Sequence, residues 1–164
     1  MQWDRFVRTF HWTLVAGIAA NYWILEAGEL AHEWVGYGVG VLAVARVIWG
    51  FAGPLEARFK TFIATPKTVV KDTLALTNKQ QLPSTHTPAG GYQLVAVIFM
   101  VFGIVLTGWM QELDAFWGVE WPQLTHEWLS NALMVLAVVH VAVILWLQIK
   151  LRLPLLQRML WARR

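Results

Sequence analysis

Four long apolar stretches constrain this chain more than any other feature of its sequence. They run from about Phe10 to Leu25, His32 to Ala52, Tyr92 to Met110 and His126 to Ile149. Each is close to the roughly 20 residues that a helix needs to cross the hydrocarbon of a bilayer. In hydrocarbon every backbone polar group must be satisfied internally, so helices and closed barrels are the only spanning forms. The stretches are too long for strands and show no period-two alternation, so the sequence predicts helices. The expected fold is all-α: an integral membrane four-helix bundle, with residues 1–164 as a single domain and both termini cytoplasmic. The first stretch is the shortest and contains Asn21. Asp4 stands in front of it and no small-residue cleavage site follows, so it reads as a retained span rather than a signal peptide.

Composition agrees with a membrane class. The chain is 57% hydrophobic and 14% charged, against about a quarter charged in a typical soluble domain. The net charge of +3 taken alone would suggest a nucleic-acid partner, but the distribution of charge assigns it to orientation instead. In a four-span arrangement Arg5, Arg8, Arg46, Arg58, Lys60, Lys67, Lys71, Lys79, Lys150, Arg152, Arg158, Arg163 and Arg164 all lie on one side. The other side carries Glu26, Glu29, Glu33, Glu112, Asp114, Glu120 and Glu127 and no basic residue. The excess of Lys and Arg marks the cytoplasmic side. Three or five spans would break this segregation. Tryptophans gather near both ends of the spans, as interfacial belts do. The long loop between the second and third stretches is basic and holds Pro54, Pro66, Pro83 and Pro88, with a surface helix expected over Pro66 to Leu76.

The chain has no cysteine, which removes disulfides, thiolate-held iron–sulfur clusters and covalent c-type haem attachment within it. Any redox centre has to use other ligands, and histidine is the obvious one. Four of the five histidines, His11, His32, His126 and His140, fall in or at the ends of the apolar stretches. Ionisable groups at membrane depth are rare and tend to mark a functional path. With helices alternating in direction, His11 and His140 lie at one depth toward the cytoplasm, and His32 and His126 at another toward the outside. His126 and His140 are fourteen residues apart, roughly 21 Å along a helix axis and within roughly 40° of the same face. Two bis-histidine haems b, stacked through the membrane, use all four residues. Gly36, Gly38 and Gly40 leave room for a macrocycle or for close helix packing. Arg8 and Arg46 are candidate partners for haem propionates, or else interfacial cations that extend to water. Zinc is the rival use of the imidazoles, but it wants three or four ligands at one point. The two depths keep the four histidines apart.

These residues resemble a known family, the bacterial cytochrome b561 type and the related b-type cytochrome subunit of nickel–iron hydrogenases. The resemblance covers nearly the whole chain. It rests on Trp3-Asp4-Arg5-Phe6-Val7-Arg8-Thr9-Phe10-His11-Trp12, His32-Glu33-Trp34-Val35-Gly36-Tyr37-Gly38 and Ala45-Arg46-Val47-Ile48-Trp49-Gly50. It continues with His86-Thr87-Pro88-Ala89-Gly90-Gly91, Leu106-Thr107-Gly108, and His126-Glu127, Asn131 and His140. It implies two non-covalent haems b on the four histidines, and electron exchange with quinone and a protein partner in a bacterial inner membrane. His86 resembles a family motif that is not a haem ligand. It is either an accessory group near the inner haem or a quinone, or a loop histidine that helps turn the chain at Pro88.

The leading expectation is a membrane electron carrier between quinone and a cationic periplasmic redox protein such as a cytochrome c, met at the acidic outer face. A second is an enzyme that oxidises superoxide and passes the electron to ubiquinone, though an anion would favour a cationic mouth. A third is the membrane anchor and electron acceptor of a hydrogenase-like complex.

Overall fold

The computed structural model describes residues 5–62, 88–152 and 155–160. Four long helices dominate: α1 over Arg5–Trp23, α2 over Leu30–Ala52, α3 over Pro88–Gln111 and α4 over Trp121–Leu151. Short 3₁₀ turns at Leu55–Ala57 and Asp114–Phe116, and short helices at Phe59–Phe62 and Leu155–Leu160, complete the described elements. No strand occurs among the described residues. The expected surface helix over Pro66 to Leu76 lies outside them.

The helices extend past the apolar stretches at several ends. α4 begins at Trp121 rather than at His126, with Pro122 in its first turn, where the missing N–H costs nothing. α1 begins at Arg5, five residues before the apolar run. Hydropathy locates the part of a helix that suits hydrocarbon, whereas the backbone stays helical through the interfacial turns that follow. α2, the Gly90–Gln111 part of α3 and the Trp121–Lys150 part of α4 are long and apolar enough to cross a membrane. α1, at 19 residues, is long enough but less apolar, because Arg5, Arg8, His11 and Asn21 interrupt it.

Consecutive long helices pack against each other, α1 on α2, α2 on α3 and α3 on α4. One apolar cluster takes a residue or two from each: Phe10 and Leu14 of α1, Val39 and Ala43 of α2, Val101 of α3 and Leu133 of α4. A hydrogen bond of 2.7 Å from the Tyr22 hydroxyl to Asn131 Oδ1 ties α1 to α4. Much of the remaining helix surface is large and apolar: Val135 and Val138 of α4 are more than half exposed. A soluble protein rarely leaves patches of that kind in water, whereas lipid covers them without cost.

Small residues set the spacing of the packed pairs, since helices in lipid gain from close van der Waals approach. A Cβ on Gly103 would lie 2.7 Å from Leu129 Cδ1, and one on Gly17 would lie 2.7 Å from Val39 Cγ2. Gly40 faces Val105, with 3.2 Å between an added Cβ and the valine Cγ2, so it serves helix packing rather than a macrocycle. Among the described residues, Gly38 has nothing within 4 Å of an added Cβ. Replacement of Gly103 by Ile should force α3 from α4 and cost about 1–3 kcal/mol, read as a lower midpoint of thermal unfolding in detergent. Gly38→Ala should leave that midpoint nearly unchanged.

Candidate functional site

The histidines come together in two pairs. His11 of α1 and His140 of α4 have ring centres 6.5 Å apart at 57°. His32 of α2 and His126 of α4 have ring centres 6.2 Å apart at 50°. A metal–imidazole bond is about 2 Å and a ring nitrogen sits roughly 1.1 Å from its ring centre, so two imidazoles that shared one metal ion could have centres up to about 6 Å apart. Both pairs sit at that separation. Among the described residues, no three histidine, cysteine, aspartate or glutamate side chains converge as a metal cluster.

α2 and α4 build the two levels with the same register. On α4, His126, Leu133 and His140 follow one another at seven-residue intervals; on α2, His32, Val39 and Arg46 do the same. Seven residues are nearly two helical turns, so each set shares a face. Leu133 and Val39 both enter the apolar cluster, which therefore forms a layer between the two histidine levels. At the second level α4 presents His140, while α2 presents Arg46 and leaves the opposing imidazole to α1.

Each α4 histidine is oriented by α3. His126 Nδ1–H donates to the backbone carbonyl of Ile104 at 2.9 Å, with Thr107 Oγ1 at 3.4 Å from the same nitrogen. His140 Nδ1–H donates to the Gln93 side-chain oxygen at 3.0 Å. Either bond fixes the tautomer and leaves Nε2 with its lone pair available, as metal-binding histidines require. Gly108 permits the approach at the first level: a Cβ there would lie 3.3 Å from His126 Cε1. Thr107 turns its hydroxyl back onto the carbonyls of Gly103 at 2.7 Å and Ile104 at 3.1 Å.

Four buried side-chain atoms lack a hydrogen-bond partner among the described residues: Arg8 Nε, Asn21 Oδ1, His32 Nδ1 and Arg46 Nη1. All belong to residues at or beside the two levels. Arg8 is three residues before His11 on α1, and Asn21 donates from Nδ2 to the His32 carbonyl at 3.1 Å. Arg46 is 1% exposed. Its Nη2 donates to the Ala57 carbonyl at 3.3 Å and its guanidinium lies 5.3 Å from the centre of the Phe59 ring. An incompletely bonded buried guanidinium is costly, so its nitrogen, unpartnered among the described residues, suits an anionic partner. That observation fits the carboxylates of a haem better than it fits a snorkelling interfacial cation.

Of the residues expected from sequence, the structure thus assembles His11 with His140 and His32 with His126, and it buries Arg46. His86 lies outside the described residues. Sequence reasoning missed Gln93 and the role of Ile104. Gln93 left a signal, since it is an amide two positions after Gly91, just inside the apolar run of α3; the Ile104 carbonyl left none.

A helical membrane protein with two paired-histidine levels belongs to the class of membrane b-type cytochromes. A family model for prokaryotic cytochrome b561 matches residues 2–162, and the chain belongs to that family. Membership makes it a multi-pass bacterial membrane protein that binds b-type haem and transfers electrons. No curated protein and no solved structure matches the chain. Gly108→Val should push the His126 ring out of place and lower haem content per chain, measured as the pyridine haemochrome.

Proposed function

We propose that the chain carries electrons between the quinone pool and a periplasmic redox partner such as a cytochrome c, using two haems b. In this reading α1–α4 form one four-helix bundle and a single domain over residues 1–164, set in the bacterial inner membrane with both termini cytoplasmic. His11 and His140 would hold the haem nearer the cytoplasm, and His32 and His126 the haem nearer the periplasm. The observation that carries the proposal is the pair of ring separations, 6.5 and 6.2 Å, each at the value for two imidazoles on one iron. The free nitrogens of Arg8 and Arg46 support propionate binding by these two residues. Haem, when bound, supplies reversible one-electron chemistry, which the protein positions and tunes.

The charged surface supports the choice of partner. Glu26, Glu29, Glu112, Asp114 and Glu120 lie in or beside the two connectors, at the end of the helices where His32 and His126 pair. A cationic protein would be drawn to that rim. The same rim disfavours capture of an anion, which weighs against superoxide oxidation. A pure anchor role would have no use for paired imidazoles.

The ligand assignment is tested by single substitutions. His140→Ala or His11→Ala should remove one haem and leave the other, and His32→Ala or His126→Ala should remove the second, all read from haem content and the reduced-minus-oxidised spectrum. Retention of both haems in all four variants would refute the assignment. The docking surface has its own test. Tyr37 donates to Glu112 at 2.6 Å, so Glu112 is best left in place. Asp114→Lys with Glu120→Lys should slow reaction with a cationic cytochrome c about tenfold at low salt, with the difference shrinking as salt screens the charges.

A further inference from the structure

The two α4 histidines are held by acceptors of different kinds. His126 donates to a main-chain carbonyl, Ile104, at 2.9 Å. His140 donates to a side chain, Gln93, at 3.0 Å. Both acceptors come from α3. Gln93 and Ile104 are eleven residues apart on α3 and answer histidines fourteen apart on α4, so one helix orients the imidazoles at both levels. Only one of the two acceptors can be altered by a point substitution.

Gln93 is a costly residue at its position. It lies half-buried in the second turn of a helix that is otherwise strongly apolar. A buried amide without a partner costs about 1–3 kcal/mol, and the bond to His140 relieves that cost. The acceptor on a ligand imidazole also governs how strongly that imidazole donates to a metal: a stronger acceptor makes it more basic and favours the oxidised metal. A neutral amide is intermediate between a carboxylate and no acceptor. The His140 level can therefore be shifted in either direction, whereas the backbone bond at His126 is fixed by the fold.

We infer that Gln93 is a positioning residue that sets the donor strength of His140, and so the potential of the haem on His11 and His140 alone. This inference rests on the bis-histidine reading above.

The test is a spectroscopic redox titration of the detergent-purified holoprotein, resolving two midpoints, on Gln93→Glu and Gln93→Leu. Gln93→Glu should lower one midpoint and Gln93→Leu should raise the same one. Each shift should be about a tenfold change in the ratio of reduced to oxidised haem at fixed potential, or about 59 mV for one electron. The low-spin electron paramagnetic resonance signal of the same haem should move with it. In a His11→Ala background, which leaves only the other haem, Gln93→Glu should shift nothing. If Gln93→Leu loses its haem, the isosteric Gln93→Glu carries the test. Two bound haems with neither midpoint moved, or with both moved equally, would overturn the role of Gln93 and leave the ligand assignment standing. Wild-type protein with no haem on His11 and His140 would overturn both.

Discussion

The site depends on four half-buried imidazoles that meet in two pairs. A histidine buried among membrane helices has lost its solvent partners, and in a low-dielectric setting each ring nitrogen needs a replacement. The chain supplies one such partner to each of the two α4 histidines. α3 gives the Ile104 carbonyl to His126 and the Gln93 amide to His140. The ring centres of the two pairs stand 6.5 and 6.2 Å apart, and in the proposed reading a haem iron would join the rings of each pair. Glycines on α3 let α4 approach closely. Gly108 thins α3 where it crosses His126, and Gly103 thins it where it crosses Leu129.

The repeat of seven on α2 and α4 has a functional consequence. Because His126, Leu133 and His140 share one face, and His32, Val39 and Arg46 share another, an apolar layer falls midway between the two histidine levels. That layer separates the two levels, and it includes Phe10 and Leu14 of α1 and Val101 of α3. The substitution of arginine for histidine at the second level of α2 places a buried cation where a haem would bring carboxylates. The two levels are thus electrostatically unlike: the His11–His140 level has Arg8 and Arg46 beside it, the His32–His126 level an acidic rim.

Much of this was legible in the sequence. Alternating helix direction and a fourteen-residue spacing were enough to pair the histidines by depth, because depth and face are linear functions of position along a helix. The three most apolar helices were equally plain. The extent of each helix was not, because turns at the interface carry no hydropathy signal; α4 starts five residues before the apolar run suggests. Glycine function was mixed in the same way. Gly36, Gly38 and Gly40 read alike in sequence, yet Gly40 lies against Val105 and Gly38 against none of the described residues. Which neighbour a glycine meets depends on the rotation of the partner helix, and that is a tertiary property. The acceptors of the imidazole N–H groups were hidden for a related reason: one is a main-chain carbonyl, which no side-chain pattern reveals.

In the proposed reading two separate histidine pairs each hold a haem. It is tested most directly by the stoichiometry of haem b in wild-type protein purified from haem-replete cells, quantified per chain by pyridine haemochrome alongside a reduced spectrum. The account predicts two haems per chain, both low-spin. One haem per chain, or high-spin haem at either level, would contradict it.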